Sequence, residues 1–395
     1  MSNKCVVIGV TGGIAAYKAL DVISTLRKKN IDTHVIMTDS ATKFVTPLSF
    51  QSLSQNLVVT DMFAEPRAWE IQHISLAKKA DLMLIVPATA NIIGKVANGI
   101  ADDMLSTTIM ATKAPVVFAP AMNTNMYDNP IVQKNIDKLK EFGYAFIEPA
   151  SGRLACGDTG RGKLEDTKLI SDIVASMIYD TKDLEGKKVL VTAGPTIAPI
   201  DPVRFITNRS TGKMGYAIAE EARDRGAQVT LITGPTSLET PFGVDVVKVN
   251  TNEEMLRVIL DKYETSHIVI KSAAVADYKP KNYSEEKIKK KEENLLLEFE
   301  RDNDILNLLG KEKRNQILVG FAAESSNVLN NAKDKLKRKN LDYIVANDIS
   351  SKDTGFASDN NKVIILDNKG EELYLDTMSK RAVAKHLFDL INKRR

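Results

Sequence analysis

Three residues in the first half of this 395-residue sequence are of types that do chemistry. His73, in Gln72-His73-Ile74-Ser75-Leu76, is of a type that can move a proton near neutral pH. Its plainer role is that of a half-buried or capping histidine at a helix start. Asn123, in Pro120-Ala121-Met122-Asn123-Thr124-Asn125-Met126-Tyr127, follows an apolar run at a position that suits a helix N-cap. Cys156 stands in a long polar loop between Gly152 and Gly157. A cysteine there is poor core filler and can serve as a mobile acid or nucleophile.

The second half offers a different set. Arg204 and Asn208 lie in Asp201-Pro202-Val203-Arg204-Phe205-Ile206-Thr207-Asn208-Arg209-Ser210-Thr211-Gly212. Arginine grips phosphate or carboxylate with a planar fork, and Ser210-Thr211-Gly212 before a helix suits an anion. Lys271-Ser272-Ala273-Ala274-Val275-Ala276-Asp277-Tyr278 has small residues that admit a base or ribose, and Asp277 can take Mg²⁺ or a hydroxyl. Lys287-Ile288-Lys289-Lys290-Lys291 is either a solvated face or a cationic contact for a phosphorylated ligand. No G-x-x-x-x-G-K-[ST] phosphate loop is present.

These residues need elements to hold them. Apolar runs predict strands at 4–10, 33–38, 82–86, 115–119 and 144–147, alternating with helices at 13–29, 39–54, 73–80, 102–112, 130–142 and 166–179. In the second half strands are expected at 188–192, 228–232, 245–249, 267–271, 316–321 and 342–346, then a hairpin (362–366, 372–375). Helices are expected at 212–225, 252–263, 327–340 and 378–391. Each half opens with a strand followed at once by small residues, Thr11-Gly12-Gly13 and Ala193-Gly194-Pro195-Thr196. That alternation predicts an α/β fold of two doubly wound, Rossmann-like domains in tandem, 1–180 and 187–395. The loops Thr38–Ala41, Pro87–Asn91 and Pro120–Asn123 then gather with Gly12 and Gly13 at the carboxyl ends of the strands, where such sheets bind ligands. The segment 148–165 is too long for a plain connection and reads as a functional loop.

Bulk properties narrow the class. The net charge of +3 lies wholly in the second half and is too small to imply nucleic acid. No apolar run reaches membrane-spanning length, and no secretory leader precedes the first strand. The two cysteines, Cys5 and Cys156, exclude a disulfide framework and suit a reducing cytoplasm.

The set TGGIAAYK, HISLA, PAMNTNMY and GRLACGDTGRGKLED resembles the flavin-containing cysteine decarboxylases. With the second-half stretches DPVRFITNRSTGKMG, AAVADY and KIKK, the chain resembles the bifunctional phosphopantothenoylcysteine decarboxylase/phosphopantothenate–cysteine ligases of coenzyme A biosynthesis over its whole length. Tyr127 stands where many relatives have Trp.

The resemblance implies an N-terminal flavoprotein fold and a C-terminal nucleotide-binding ligase fold. FMN would lie on Gly12, Gly13, Ile14, Ser40, Thr89, Ser106 and Met122. It would oxidise the cysteinyl end of the substrate, let the carboxylate leave as CO₂, and return the electrons. His73 would be base or electrostatic partner, Asn123 would bind the carboxylate, and Cys156 would donate a proton from a closing flap. In the second half, CTP and Mg²⁺ would activate 4′-phosphopantothenate as an acyl-cytidylate for attack by cysteine. CTP contacts would be Ser272, Ala273, Asp277 (also the metal residue), Lys287, Asp302, Asn303, Asp304, Ile305, Phe321, Lys335 and Lys339. Asn208 would hold the intermediate, with Arg204 nearby and Lys287 assisting the attack. Trimeric decarboxylase units and dimeric ligase units would form a homo-oligomer.

Three other readings compete. A non-catalytic regulatory homologue would lack the chemical residues, which are all present here. A prenyl- or acid-modifying flavoprotein leaves the second half without a role. A dinucleotide dehydrogenase needs G-x-G-x-x-G, which neither glycine loop matches.

Overall fold

The computed structural model describes residues 4–63, 71–154, 157–290, 294–324, 327–348 and 358–393. The chain divides into two compact units, Met1–Tyr179 and Asp180–Arg395.

In the first unit six strands form one parallel sheet: β1 (Cys5–Val10), β2 (Asp32–Met37), β3 (Val58–Val59), β4 (Leu82–Ala88), β5 (Val116–Pro120) and β6 (Ala145–Phe146). Their order is β3-β2-β1-β4-β5-β6. β1 and β4 are buried along their whole length because helices cover both faces. Val6, Ile8 and Val10 join one core with the helices Ala19–Lys28, Pro47–Ser54 and Thr167–Met177. Cys5 and Val7 join the other, under the helices Gln72–Lys79, Ala90–Ala97, Met104–Ala111 and Pro130–Glu141.

Several local features differ from the sequence expectation, among them β3 and the short helix Thr124–Tyr127, neither of which was expected. The helix expected over 39–54 is two, Asp39–Thr42 and Pro47–Ser54, because Pro47 lacks an N–H and starts a new helix after Thr46. A helix, Ala90–Ala97, follows directly on Thr89. The loop 148–165 contains a hairpin, β7 (Ala150–Arg153) against β8 (Thr159–Lys163).

The second unit repeats the plan. β9 (Lys188–Ala193), β12 (Gln228–Thr233), β13 (Asp245–Lys248), β14 (Ile268–Lys271), β17 (Ile317–Glu324) and β18 (Tyr343–Asp348) are parallel, and β19 (Asn360–Asp367) and β20 (Glu372–Ser379) add an antiparallel edge. The order is β13-β12-β9-β14-β17-β18-β19-β20. Counting only parallel strands, both sheets run 3-2-1-4-5-6, so each reverses direction between its first and fourth strands. Two small ribbons, β10 (Ile197–Pro199) with β11 (Phe205–Thr207) and β15 (Tyr278–Pro280) with β16 (Phe299–Arg301), and the helix Ile305–Lys311 were not expected from sequence. Among the described residues no helix is long and apolar enough to cross a membrane.

Candidate functional sites at the two switch points

The first site forms where β1 and β4 diverge. Thr11, almost fully buried, donates from Oγ1 to the Pro87 carbonyl at 2.6 Å and accepts from the Thr89 N–H at 3.1 Å. This bridge joins the two loops on either side of the crevice. Gly12 fits against Ser40, whose Cβ would lie 2.4 Å from a Cβ at position 12. Gly13 instead faces open space, with nothing nearer to such an atom than Thr89 Cγ2 at 4.0 Å. The chain then enters a 3₁₀ turn, Ile14–Lys18, continuous with the helix Ala19–Lys28.

A cavity of about 440 Å³ opens here, within the range of cofactor sites. Gly12, Gly13, Ile14, Thr89, Met122 and Asn123 line it, with the cations Lys18, Arg153 and Lys163 on its wall. The hairpin forms one side. Met122 N–H donates to the Gly162 carbonyl at 2.9 Å, and a Cβ on Gly162 would strike Met122 O at 2.3 Å. Gly160 is pressed against Thr124 in the same way, at 2.7 Å. The glycines of Gly157-Asp158-Thr159-Gly160-Arg161-Gly162 thus include two that let the hairpin lie on the loop carrying Asn123.

Asn123 caps the short helix Thr124–Tyr127, as its sequence position suggested, and also reaches the hairpin. Its Oδ1 accepts from Asn125 N–H at 2.8 Å as a helix cap, and its Nδ2 donates to Asp158 Oδ2 at 2.9 Å. Tyr127, four residues on, is buried and donates to Glu148 at 2.6 Å.

Other expected residues stand elsewhere. His73 is half-buried in the first turn of Gln72–Lys79, off the cavity wall. Ser106 is fully buried, also off the wall. Its hydroxyl closes a capping box with Asp103, which accepts from it at 2.9 Å. Cys156 lies outside the described residues.

The second site forms between β9 and β14, by the same device. Thr192 Oγ1, buried, accepts from Ala273 N–H at 3.1 Å, and Thr196 Oγ1 accepts from Ala276 N–H at 3.1 Å. Ala274 N–H donates to Gly194 O at 3.0 Å. Gly194 and Gly212, both at positive φ, touch: a Cβ on Gly212 would lie 3.3 Å from Gly194 N. A Cβ on Gly215 would lie 2.5 Å from Ala193 Cβ, so Gly215 lets the helix Lys213–Asp224 pack tightly on β9. In space these glycines make the tight turn, the close approach and the helix–strand contact of a nucleotide-binding loop, with residues 195–211 inserted.

Arg204 is committed to the scaffold. It grips Asp201 Oδ2 from Nε at 2.9 Å and Nη2 at 2.5 Å, and donates to Ile288 O at 2.7 Å. Asp201 also accepts from the N–H groups of Val203, Arg204 and Ile288. The buried Asp201 carboxylate thereby fixes the segment carrying Lys287, whose own side chain is exposed. Asn208 donates to the carbonyls of Ala274 and Val275 at 3.0 Å each.

The remaining residues come from four elements. Ser272 and Ala273 follow β14, Phe321 is on β17, and Lys335 and Lys339 come from the end of Val328–Arg338. Asp302 and Asn303 lead into Asp304, which caps Ile305–Lys311 and accepts from Lys339 Nζ at 3.0 Å. Ile305 is wholly in the core, so its side chain cannot touch a ligand. Asp277 is exposed. Among the described residues the one close group of metal-binding types is Cys5, Asp32 and His34, at the amino ends of β1 and β2. There Lys79 Nζ already sits 2.5 Å from His34 Nε2, and burial, then Asp32, pushes the Cys5 thiol up to about 12.

Two family models cover the two units. The flavoprotein model matches residues 1–179, and the DNA/pantothenate metabolism flavoprotein C-terminal domain matches residues 184–394. The chain is 49% identical over 387 residues to the coenzyme A biosynthesis bifunctional protein CoaBC of Bacillus subtilis, covering 97% of this chain and 95% of that one. The chain belongs to the CoaBC family. The Borreliella burgdorferi member is 45% identical over 392 residues, covering 98% of this chain and 99% of that one. A crystal structure of the C-terminal domain of a CoaBC protein is 42% identical, covers 54% of this chain and 98% of that one, and superposes with a TM-score of 0.47. One chain therefore joins a flavoprotein decarboxylase domain to a ligase domain of coenzyme A biosynthesis.

Within this CoaBC family member, sequence reasoning missed four residues that shape the sites. Thr11 and Thr192 were unremarkable as threonines ending a strand; their buried hydroxyls matter because each meets the loop after the fourth strand. Asp201 was read only as part of a motif. Lys163, in the hairpin, could have been marked by its place after Gly162 in the long functional loop.

Proposed function

We propose that the first unit decarboxylates phosphopantothenoylcysteine with FMN, and that the second makes this substrate from 4′-phosphopantothenate, cysteine and CTP. The observation that carries the reading is the pairing of two complete switch-point crevices, each with its strand-end threonine and glycine turn, in one CoaBC chain.

The first cavity fits a flavin nucleotide. Its glycine turn leaves room at Gly13, and Lys18, Arg153 and Lys163 suit phosphate groups. When bound, FMN supplies the oxidation and re-reduction of the cysteinyl end. The amide of Asn123 binds and orients the carboxylate that is lost. The hairpin excludes water, and Cys156 donates the proton to the product carbon. His73 contributes from a surface off the cavity wall, and the exposed Ile14, Tyr17 and Met126 beside that cavity favour burial against another copy in a homo-oligomer.

In the second crevice the N–H groups at Gly212 and the start of Lys213–Asp224 face the triphosphate, while Lys335 and Lys339 offset its charge. Asp277 is a single carboxylate, which suits Mg²⁺ held mainly by nucleotide phosphates. The phosphopantothenate carboxylate attacks the α-phosphorus of CTP and pyrophosphate leaves. Asn208 holds the acyl-cytidylate. Cysteine's amine attacks the acyl carbon and CMP leaves, with Lys287 stabilising the charge that develops.

A quenched reaction with phosphopantothenate and CTP, with and without cysteine, tests this. Lys287→Gln should release pyrophosphate yet accumulate acyl-cytidylate, with transfer slowed on the order of 10²–10³-fold. Lys289→Gln should behave normally. Equal turnover by both variants would reduce the lysine run to a solvated face.

A further inference from the structure

Cys5, Asp32 and His34 take no part in the flavin chemistry and lie at the opposite end of β1 from its cavity. The parallel register sets Cys5 beside Asp32, and His34, two residues on, returns to the same face. One ligand atom from each lies within 4.8 Å of the other two. The helix Gln72–Lys79 ends over them, and its last residue places Lys79 Nζ 2.5 Å from His34 Nε2 and 3.6 Å from Asp32 Oδ2.

An ammonium can only donate, so His34 Nε2 meets it with a lone pair. That lone pair stands 3.2 Å from Asp32 Oδ2, itself an acceptor. Two acceptors this close repel unless a cation serves both, and the Lys79 ammonium is near one and distant from the other. The second Asp32 oxygen, Oδ1, accepts from Asn56 Nδ2 and the Thr33 N–H at 3.0 Å each and from Arg27 Nη1 at 3.3 Å, which leaves Oδ2 for the cluster. The third group is the buried Cys5 thiol. Thiol, imidazole and carboxylate together suit a borderline-soft ion and not Mg²⁺.

We propose that Cys5, His34 and Asp32 form a separate site in the first unit for a thiophilic divalent cation of the Zn²⁺ class, which Lys79 fills with its ammonium when no metal is bound. Metal–ligand bonds of about 2.0–2.3 Å put tetrahedral donors roughly 3–4 Å apart, so the cluster needs only a small contraction, and water takes the fourth position. On binding, the ion bonds to Cys5 Sγ, His34 Nε2 and Asp32 Oδ2. The thiol proton passes to solvent, since a coordinating thiol is deprotonated outright. The Lys79 ammonium, on a half-exposed side chain at the helix end, swings into water. Giving up so exposed an ion pair costs little.

The test is titration of the full-length, flavin-loaded protein with Cd²⁺, whose bond to a thiolate gives a charge-transfer band in the ultraviolet. Wild type should develop the band with one ion per chain. Zn²⁺ should abolish it by competition, and a large excess of Mg²⁺ should not. Cys5→Ser should lose the band and Cys156→Ser should keep it, which separates the two cysteines. His34→Gln should weaken Cd²⁺ binding by roughly 10–100-fold. Lys79→Gln should bind a few-fold more tightly, because the competing ammonium is gone. Flavin absorbance reports that each variant is folded. No band in wild type, a band that persists in Cys5→Ser, or binding unaltered in His34→Gln or Lys79→Gln would overturn the proposal and leave the cluster a hydrogen-bonded network of the fold.

Discussion

The side-chain amide of Asn123 donates to the Asp158 carboxylate at 2.9 Å, tying the turn of the hairpin to the loop after β5. A carboxylate therefore already sits where the substrate's carboxylate would bind. Asp158→Ala should loosen the hairpin by removing this contact with the amide. We expect decarboxylase kcat to fall roughly tenfold with KM no higher, and ligation to be unaffected. Steady-state kinetics on phosphopantothenoylcysteine separate the two; a raised KM with normal kcat would contradict this account of Asp158.

Thr11→Val removes the bridge between the loops at the first switch point. It leaves the Thr89 N–H and Pro87 carbonyl without that partner at a buried position. Such a loss costs about 1–3 kcal/mol. Bound flavin, read from its visible absorbance, should be lost at lower temperature than in wild type, while CTP-dependent pyrophosphate release stays normal.

Gly215→Ala tests the other glycine loop. The new methyl would meet Ala193 Cβ at 2.5 Å, so the helix Lys213–Asp224 must shift off β9. Overpacking of this kind costs about 1–3 kcal/mol. Ligation should fall sharply and flavin content should not.

Asp201 links stability to pH. The Arg204 N–H donors, aided by backbone N–H groups, hold its carboxyl well below the usual carboxylate range against the effect of burial. Its folded pKa is thus lower than the unfolded value of about 3.9. The stabilisation is fully present above that value and is lost as pH falls toward the folded one. Asp201→Asn should weaken ligation at neutral pH by releasing the Lys287 segment. Its stability should also depend less steeply on pH below about 4, as followed by circular dichroism during acid titration.

The central parallel strands of both sheets were legible in the sequence because they are buried on two faces and read as apolar runs, such as Cys5–Val10 and the stretch Val189–Val191 within β9. The second glycine loop was not legible, since Gly194 is separated in sequence from Gly212 and Gly215 by an insertion and the three meet only in space. The ribbons β10–β11 and β15–β16 have three residues per strand, too short for a periodicity. The capping role of Asn123 was legible because it needs only the chain just after it, whereas the capping role of Ser106, the burial of Ile305 and the engagement of Arg204 by Asp201 all depend on packing that residue type alone does not reveal.

The central claim is that one chain performs both steps in succession. Purified full-length protein carrying its flavin should be incubated with 4′-phosphopantothenate, cysteine, CTP and Mg²⁺, and the products read by mass spectrometry. The account predicts 4′-phosphopantetheine, formed only when both CTP and cysteine are present and accompanied by pyrophosphate, CMP and CO₂. Absence of any cysteine adduct, or an adduct that forms equally without CTP, would contradict it.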